Sequence, residues 1–456
     1  MSERPPSARR ASARAVSARA VSARAVATRV LFRVATEDAW ATPSLDAEIA
    51  RAGLDRRDAG LATEITYGAL RVLPRLDAAL DAHLSKPGKL DPYLRAALRV
   101  GAYQLLHLSR VPPHAVVSEA VELVKRERGP RLSGVVNAVL RKIARTRPEQ
   151  PSPPERIAAP AWVERAFERS LGAERAAAFL ASRPLPPPLG LRASGASPSE
   201  QVSALEAAHP EAQIGLSRLA SRGLWVRGAG DPRALSGYTE GRLAVQEIGS
   251  QIVVELVGAE PHHRVADLCA GHGTKSLALA ERAASVVAID LYEEKLERAE
   301  RERARLGIGE AKLETMAIDL TVGTGGLDAR FDRVLVDAPC TGLGTLHRRP
   351  ELLLRLGPGD AARLATLQLA ILSSAAALVR PGGLLVYAVC SPTEEEGRGV
   401  AERFGRAHPE LEPLRSLPSD PLPADPDGLV RIGPWSPETA APDAYQVARW
   451  RRPDLA

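Results

Sequence analysis

The stretch Phe331-Asp-Arg-Val-Leu-Val-Asp-Ala-Pro-Cys-Thr-Gly-Leu-Gly344 reads as a strand that runs out into a loop carrying reactive groups. Its Val334-Leu-Val centre is the short β-branched and aliphatic run of a buried parallel strand. The run ends in Asp337, Pro339 and Cys340 and then breaks at Gly342 and Gly344. An acid, a rigid backbone and a thiol therefore fall at the carboxyl end of a strand, where open α/β sheets hold their ligands. A second apolar run, Gly383-Leu-Leu-Val-Tyr-Ala-Val-Cys390, also ends in a thiol.

Upstream, strand and helix patterns alternate. Segments 264–269, 285–290 and 313–319 read as strands, and 275–284 and 293–306 as helices, the second stopped by Gly307. This alternation predicts a doubly wound α/β sheet of mainly parallel strands. The first turn, Asp267-Leu-Cys-Ala-Gly-His-Gly-Thr-Lys275, places Gly271 and Gly273 where a backbone can approach a ligand closely. Asp290 closes the second strand, where an acid can accept hydrogen bonds from ribose hydroxyls, and Asp319 closes the third. These features predict a nucleoside cofactor and leave NAD and S-adenosylmethionine open. Lys275-Ser276 lacks the leading glycine frame of a phosphate-binding P-loop.

The chain has 456 residues, which predicts two or three domains. At 45% hydrophobic and 25% charged residues it has the composition of a soluble globular protein. No uncharged apolar run approaches the roughly 20 residues of a membrane span. The formal charge of +6 is concentrated at the start, where Arg4, Arg9, Arg10, Arg14, Arg19, Arg24, Arg29 and Arg33 face Glu3 alone. The remainder is close to neutral, so a polyanion site must be a local patch. Cys269, Cys340 and Cys390 are the only cysteines. An odd, small number without close pairing points to a reduced cytoplasmic protein, and no spacing suggests a metal site. His262-His263 reads as surface, and Cys269, inside an apolar strand, as a packed small hydrophobe.

Residues 7–26 repeat a Ser-Ala-Arg pentad whose period matches neither helix nor strand, so 1–25 read as a basic low-complexity tail that strengthens RNA contact nonspecifically. Residues 26–147 are helical in pattern, with stripes such as Leu94, Leu98, Gly101, Leu105 and Leu108, and a helix that starts at Pro112-Pro113 and stops at Gly129-Pro130. Residues 148–160 read as a Pro-rich linker, 161–240 as a small α+β subdomain, and 241–456 as the α/β domain.

The paired thiols point to one chemistry. C5 of a pyrimidine is a poor nucleophile toward a methyl sulfonium, and a thiolate added at C6 makes C5 enamine-like. A base must then remove the C5 proton to expel the thiol, while an acid at N3 and N4 stabilises developing charge. Cys390, Asp337 and Cys340 at neighbouring strand ends could supply all three. The Ala-Pro after Asp337 disfavours methylation of an exocyclic amino group, and a dehydrogenase leaves two thiols unexplained.

Tyr67-Gly-Ala-Leu-Arg71, Leu98-Arg-Val-Gly-Ala-Tyr-Gln-Leu-Leu106, Val111-Pro-Pro-His114, Glu119-Ala-Val-Glu122 and Val136-Asn-Ala-Val-Leu-Arg141 resemble the all-α NusB-like RNA-binding domain. Asp267–Ser276, Asp290, Asp319, Asp337-Ala-Pro-Cys340, Tyr387-Ala-Val-Cys-Ser391 and Glu394-Glu-Glu396 resemble the motifs of bacterial 16S rRNA cytosine-5 methyltransferases of the Fmu/RsmB family. That resemblance implies a class I methyltransferase domain using S-adenosylmethionine, held by Cys269, Ala270, Gly271, His272, Gly273, Thr274, Lys275, Asp290, Asp319 and Asp337. It implies Cys390 as nucleophile and Cys340 as the thiol assisting proton removal and enzyme release. Arg348-Arg349-Pro350 resembles a family segment near the substrate, against the plainer reading of a solvated basic turn. The implied partner is 16S rRNA of an unassembled or partly assembled small subunit, with no membrane, no metal and a monomeric enzyme. Three departures from the family pattern stand out: His272 and Thr274 replace proline and glycine, Val389 replaces a threonine before Cys390, and Asp443-Ala-Tyr-Gln446 replaces Asp-Gly-Phe-Phe. They leave an inactive RNA-binding or ribosome-assembly factor as the alternative.

Overall fold

The computed structural model describes residues 21–181, 187–328 and 330–454. The Ser-Ala-Arg repeat up to residue 20 and much of the proline break near 184 lie outside the described residues. The last pentad corrects the expectation of a tail through residue 25. Ser22 caps a helix spanning Ala23–Thr36, its hydroxyl accepting from the Ala25 N–H, and Ala23, Ala25 and Val26 are buried. Arg24 joins the fold as well, donating to Gln104 Oε1 at 2.6 Å and to Glu119 at 2.8 Å. A serine cap and three buried apolar positions outweigh the mismatch of the pentad period.

Seven helices form the amino-terminal unit among the described residues: Ala23–Thr36, Ala41–Ala52, Arg56–Arg71, Leu73–Asp81, Pro92–His107, Pro113–Arg128 and Pro130–Thr146. Asp55 and Asp91 cap two of them through their side chains. Their apolar stripes close one core that includes Leu31, Ile65, Leu98, Tyr103, Val124 and Leu140. Two glycines set how closely these helices pack. A Cβ on Gly68 would collide with the Tyr103 ring, and one on Gly101 with Leu140. The Tyr103 hydroxyl donates to Glu64 at 2.7 Å.

Residues 148–160 are a packed strap rather than a free tether. Ile157 and Ala158 are buried, Ile157 N–H donates to Leu180 O, and Ala158 N–H donates to Arg71 O, each at 2.9 Å. Beyond the strap, helices Ala161–Leu171 and Ala173–Ala181 share a core with Leu343, Leu346 and Leu352. A small antiparallel sheet follows, built from β1 (Leu189–Ala193), β2 (Gln213–Leu216), β3 (Gly223–Arg227) and β4 (Leu243–Val245) in the order β2-β3-β1-β4. Helix Pro198–Ala208 contributes Leu205 to its core.

The large sheet contains β5 (Arg264–Leu268), β6 (Ser285–Asp290), β7 (Leu313–Ala317), β8 (Phe331–Asp337), β9 (Val379–Val389), β10 (Glu412–Pro413), β11 (Val430–Ile432) and β12 (Tyr445–Arg451). Its order is β10-β12-β9-β8-β5-β6-β7, with β11 paired to β12. Strands β5 to β9 pair in parallel, whereas β12 runs antiparallel to β9, so the sheet is doubly wound and mixed. The chain moves outward from β5 through β6 and β7, then returns to the other flank of β5 with β8. The crevice at that reversal is where such sheets bind ligands.

Substituting Gly68→Ala drives a methyl group into Tyr103 and should destabilise the helical unit by about 1–3 kcal/mol. Urea unfolding followed by circular dichroism checks this, and an unchanged midpoint would contradict the packing.

Candidate active site

Parallel pairing of β8 with β9 opposes Val336 to Tyr387 and Asp337 to Ala388. Both strands therefore end at the same level, and the loops that leave them meet. Cys340 Sγ lies 3.3 Å from Cys390 Sγ, with both thiols free. Gly344 N–H donates to Cys390 O at 2.9 Å, and Ala444 N–H to Gly344 O at 3.0 Å. Gly344 has to be glycine because any Cβ would strike the Ala444 carbonyl.

Glu396 ties the two loops together from beneath. It is fully buried and accepts from Thr341 N–H at 2.8 Å, Thr341 Oγ1 at 2.6 Å, Ser391 Oγ at 2.5 Å, Thr393 Oγ1 at 3.0 Å and Gln368 Nε2 at 3.1 Å. The residue after each thiol is thus bonded to the same carboxylate. Tyr387 Oη donates to Glu396 O at 2.6 Å, and Gln446 Nε2 donates to the carbonyls of Ser391 and Thr393, each at 2.8 Å. Among the acids in Glu394-Glu-Glu396, the other two are half-buried and pair with Arg398 and Arg169.

Asp337 accepts from Lys275 Nζ at 2.6 Å. Burial opposes charge on Lys275, but the adjacent Asp337 carboxylate outweighs it and raises the lysine pKa. The ammonium also lies 5.6 Å from the Tyr445 ring centroid. Cys340 is pushed up by its hydrogen bond to Cys390 and then by burial, so it keeps its proton while Cys390 is its neighbour.

A pocket of about 310 Å³ opens at the carboxyl ends of β5 to β8, lined by Cys269, Gly271, Asp290, Asp319 and Asp337 from the expected set. Asp290 Oδ2 accepts from Gly271 N–H at 2.8 Å, and its Oδ1 from Tyr292 N–H at 3.0 Å. Ala270, His272, Gly273, Thr274 and Lys275 are outside this lining; His272 and Thr274 are exposed. Pro339, named with Asp337 at the strand end, lines it too, and so do Leu291, Tyr292, Leu367 and Ile371, which were not singled out by sequence. Two large apolar residues placed directly after a strand-ending acid, and both half-exposed, were the readable signal for Leu291 and Tyr292.

Three expectations need correction. Cys269 is not within the strand: it follows β5 with a φ of 64° and faces the pocket, although burial pushes its thiol pKa up. His263 is buried, and its Nδ1 accepts from Glu260 N–H at 3.0 Å, because the chain turns there into β5. Arg348-Arg349-Pro350 is not a solvated turn: Arg348 bonds Asp443 at 3.0 Å, and only Arg349 is exposed.

Residues 21–145 match the NusB family, and 254–434 match the 16S rRNA methyltransferase RsmB/F family. The ribosomal RNA small subunit methyltransferase B of Thermus thermophilus is 36% identical, over 90% of this chain and 92% of that protein. The protein of the same name from Pseudomonas putida is 33% identical, over 82% and 87%. The chain belongs to the RsmB/F family of 16S rRNA methyltransferases. Solved structures share the fold. PH0851 has a TM-score of 0.78 at 23% identity, covering 94% of this chain and 98% of that one. NSun6 from Pyrococcus horikoshii has a TM-score of 0.54 at 16% identity, covering 64% and 98%. No described helix is long and apolar enough to cross a membrane.

Glu396→Gln replaces one acceptor oxygen by a donor that faces Thr341 or Ser391. It should cost at least about 2 kcal/mol of stability and loosen both thiol loops; an unchanged melting temperature would contradict the role of Glu396.

Asp267 is fully buried, accepts from Ser276 Oγ at 2.5 Å, and burial lifts its pKa to about 7. Such a carboxyl binds a proton on folding. Its contribution is full below the unfolded value of about 3.9 and is lost as pH rises through about 7. Asp267→Asn should therefore flatten the fall in stability between those pH values, measured by melting across pH. An unaltered slope would count against a protonated Asp267.

Proposed function

We propose that the chain transfers a methyl group from S-adenosylmethionine to C5 of a cytosine in 16S rRNA, through a covalent adduct of Cys390 with C6. The observation that carries this reading is the pair of thiols 3.3 Å apart, beside the Lys275–Asp337 pair and the acid-lined pocket. The pocket suits a cation with ribose hydroxyls: Asp290, Asp319 and Asp337 supply carboxylates, while Tyr292, Leu291 and Ile371 supply apolar walls. NSun6 was solved with SFG, an S-adenosylmethionine analogue, which favours the same cofactor here. Bound there, S-adenosylmethionine supplies an electrophilic methyl group.

The residues act in sequence. Cys390 as thiolate attacks C6, and N3 takes up a proton from the Lys275–Asp337 pair, so C5 gains enamine character. Once C5 carries both hydrogen and methyl, Cys340 completes the reaction. The hydrogen bond to Cys390, the largest cause of its raised pKa, weakens when that sulfur becomes a thioether on C6. Cys340 then loses its thiol proton to solvent and, as thiolate, takes the proton from C5. The C5–H electron pair re-forms the C5=C6 bond, the C6–S bond breaks, and Cys390 leaves as thiolate. N3 returns its proton to the Asp337 side, so one proton is released per methyl transferred.

His272 and Thr274, the changes that would favour an inactive assembly factor, are exposed and outside the pocket lining. We place the active enzyme in the reducing cytoplasm, acting on small-subunit RNA before assembly is complete.

With unmodified 16S rRNA and S-adenosylmethionine, Cys390→Ala should abolish methylation. Cys340→Ser should trap protein on RNA as a band resistant to denaturing electrophoresis. Methylation by Cys390→Ala at the wild-type rate would exclude Cys390 as nucleophile.

A further inference from the structure

The loop leaving Cys340 does not return directly to solvent. Leu343, Gly344, Thr345, Leu346 and His347 are all buried. At its start the segment is fixed to the sheet through Gly344 and Cys390 O. At its far end it is held by the helical unit, across more than 270 residues of sequence. Arg71, the last residue of helix Arg56–Arg71, is 3% exposed and donates through Nε and Nη2 to His347 O at 3.1 and 2.9 Å. Arg71 is itself fastened, because its carbonyl accepts from Ala158 N–H in the strap. A little further on, Glu351 is 1% exposed and accepts from Ala41 N–H at 3.2 Å, at the start of helix Ala41–Ala52.

A guanidinium buried this deeply is costly to desolvate, yet both of these donors converge on a neutral carbonyl. The fork fixes the direction of that carbonyl as well as its distance. Cys390 shares this segment's Gly344 bond but is also held by groups outside it, namely β9 and the Gln446 amide that holds Ser391 O. Movement at His347 would therefore displace Cys340 more than Cys390, which has these further anchors.

We propose that Arg71 of the NusB-like unit is a positioning residue for the reaction, holding the Cys340 thiol in register with Cys390 through the His347 carbonyl. The helical unit thereby forms part of the catalytic apparatus in addition to any contact it makes with RNA. This rests on the assignment of Cys340 to product release.

The test uses the full-length enzyme with unmodified 16S rRNA, following adduct formation and free methylated product separately in time. Arg71→Ala should form the adduct at close to the wild-type rate but resolve it about tenfold or more slowly, the loss expected from removing a charge-assisted hydrogen bond. Arg71→Lys, which keeps the charge but offers no fork, should fall between the two and carries the test if the alanine variant does not fold. Arg99→Ala, which removes an ion pair with Asp77 elsewhere in the same unit, should leave both steps unchanged. A rise in KM for RNA with unchanged adduct lifetime in the Arg71 variants would overturn positioning and make Arg71 an RNA-binding element. Wild-type lifetimes in both variants would overturn it too. If Cys340→Ser also fails to accumulate adduct, the release role of Cys340 falls, and the positioning of Cys340 by Arg71 falls with it.

Discussion

The buried carboxylate of Glu396 is the constraint on which the site depends. It has no route to solvent, so its charge has to be met by fixed donors, and those donors come from the residues that follow the two thiols. Loops leaving neighbouring strands would otherwise fray independently, since nothing in a parallel sheet joins them beyond its edge. Here a single ion satisfies Thr341, Ser391, Thr393 and Gln368 together, and the sulfurs come within 3.3 Å as a consequence. A buried charge is weak support for stability in itself. Its value here is geometric, because moving either loop would strand part of the network.

The sheet supplies the second requirement, a place where cofactor and nucleobase can meet. The reversal of strand order beside β5 puts Asp290 and the Gly271 turn on one side, and the ends of β8 and β9 on the other. Asp337 belongs to both halves: it lines the pocket and accepts from Lys275. The antiparallel β12 closes the far flank of β9 and brings Tyr445 and Gln446 to the same level. That explains why Asp443-Ala-Tyr-Gln446 can depart from the family pattern and still build the site, with an amide in place of an aromatic ring.

Much of this was legible in the sequence because strand ends are written locally. β-branched runs closing on an acid or a thiol located β5, β6, β8 and β9 to within a few residues, and glycine and proline stops bounded the helices of the amino-terminal unit. What was not legible depended on contacts distant in sequence. Cys269 read as strand interior because its positive φ is set by the turn around Gly271, not by its own side chain. The linker composition of 148–160 gave no hint that Ile157 and Ala158 would be buried against two other units. The reading of Arg348 as solvated could not be dismissed from sequence because its partner, Asp443, lies 95 residues away. Of three consecutive glutamates, sequence could not say that Glu396 alone turns inward.

The helical unit and the methyltransferase unit meet at the segment that leaves Cys340, so the division into RNA-binding and catalytic parts is not clean in this chain. The proposed chemistry nevertheless rests on one bond, between Cys390 and C6 of a cytosine. The most direct measurement is peptide mapping by mass spectrometry after incubating the enzyme and S-adenosylmethionine with 16S rRNA transcribed with 5-fluorocytidine, whose C5 fluorine cannot be removed as a proton. A methylated 5-fluorocytidine nucleotide attached to the peptide carrying Cys390 is expected. Attachment at Cys340, or methylation without any attached nucleotide, would contradict it.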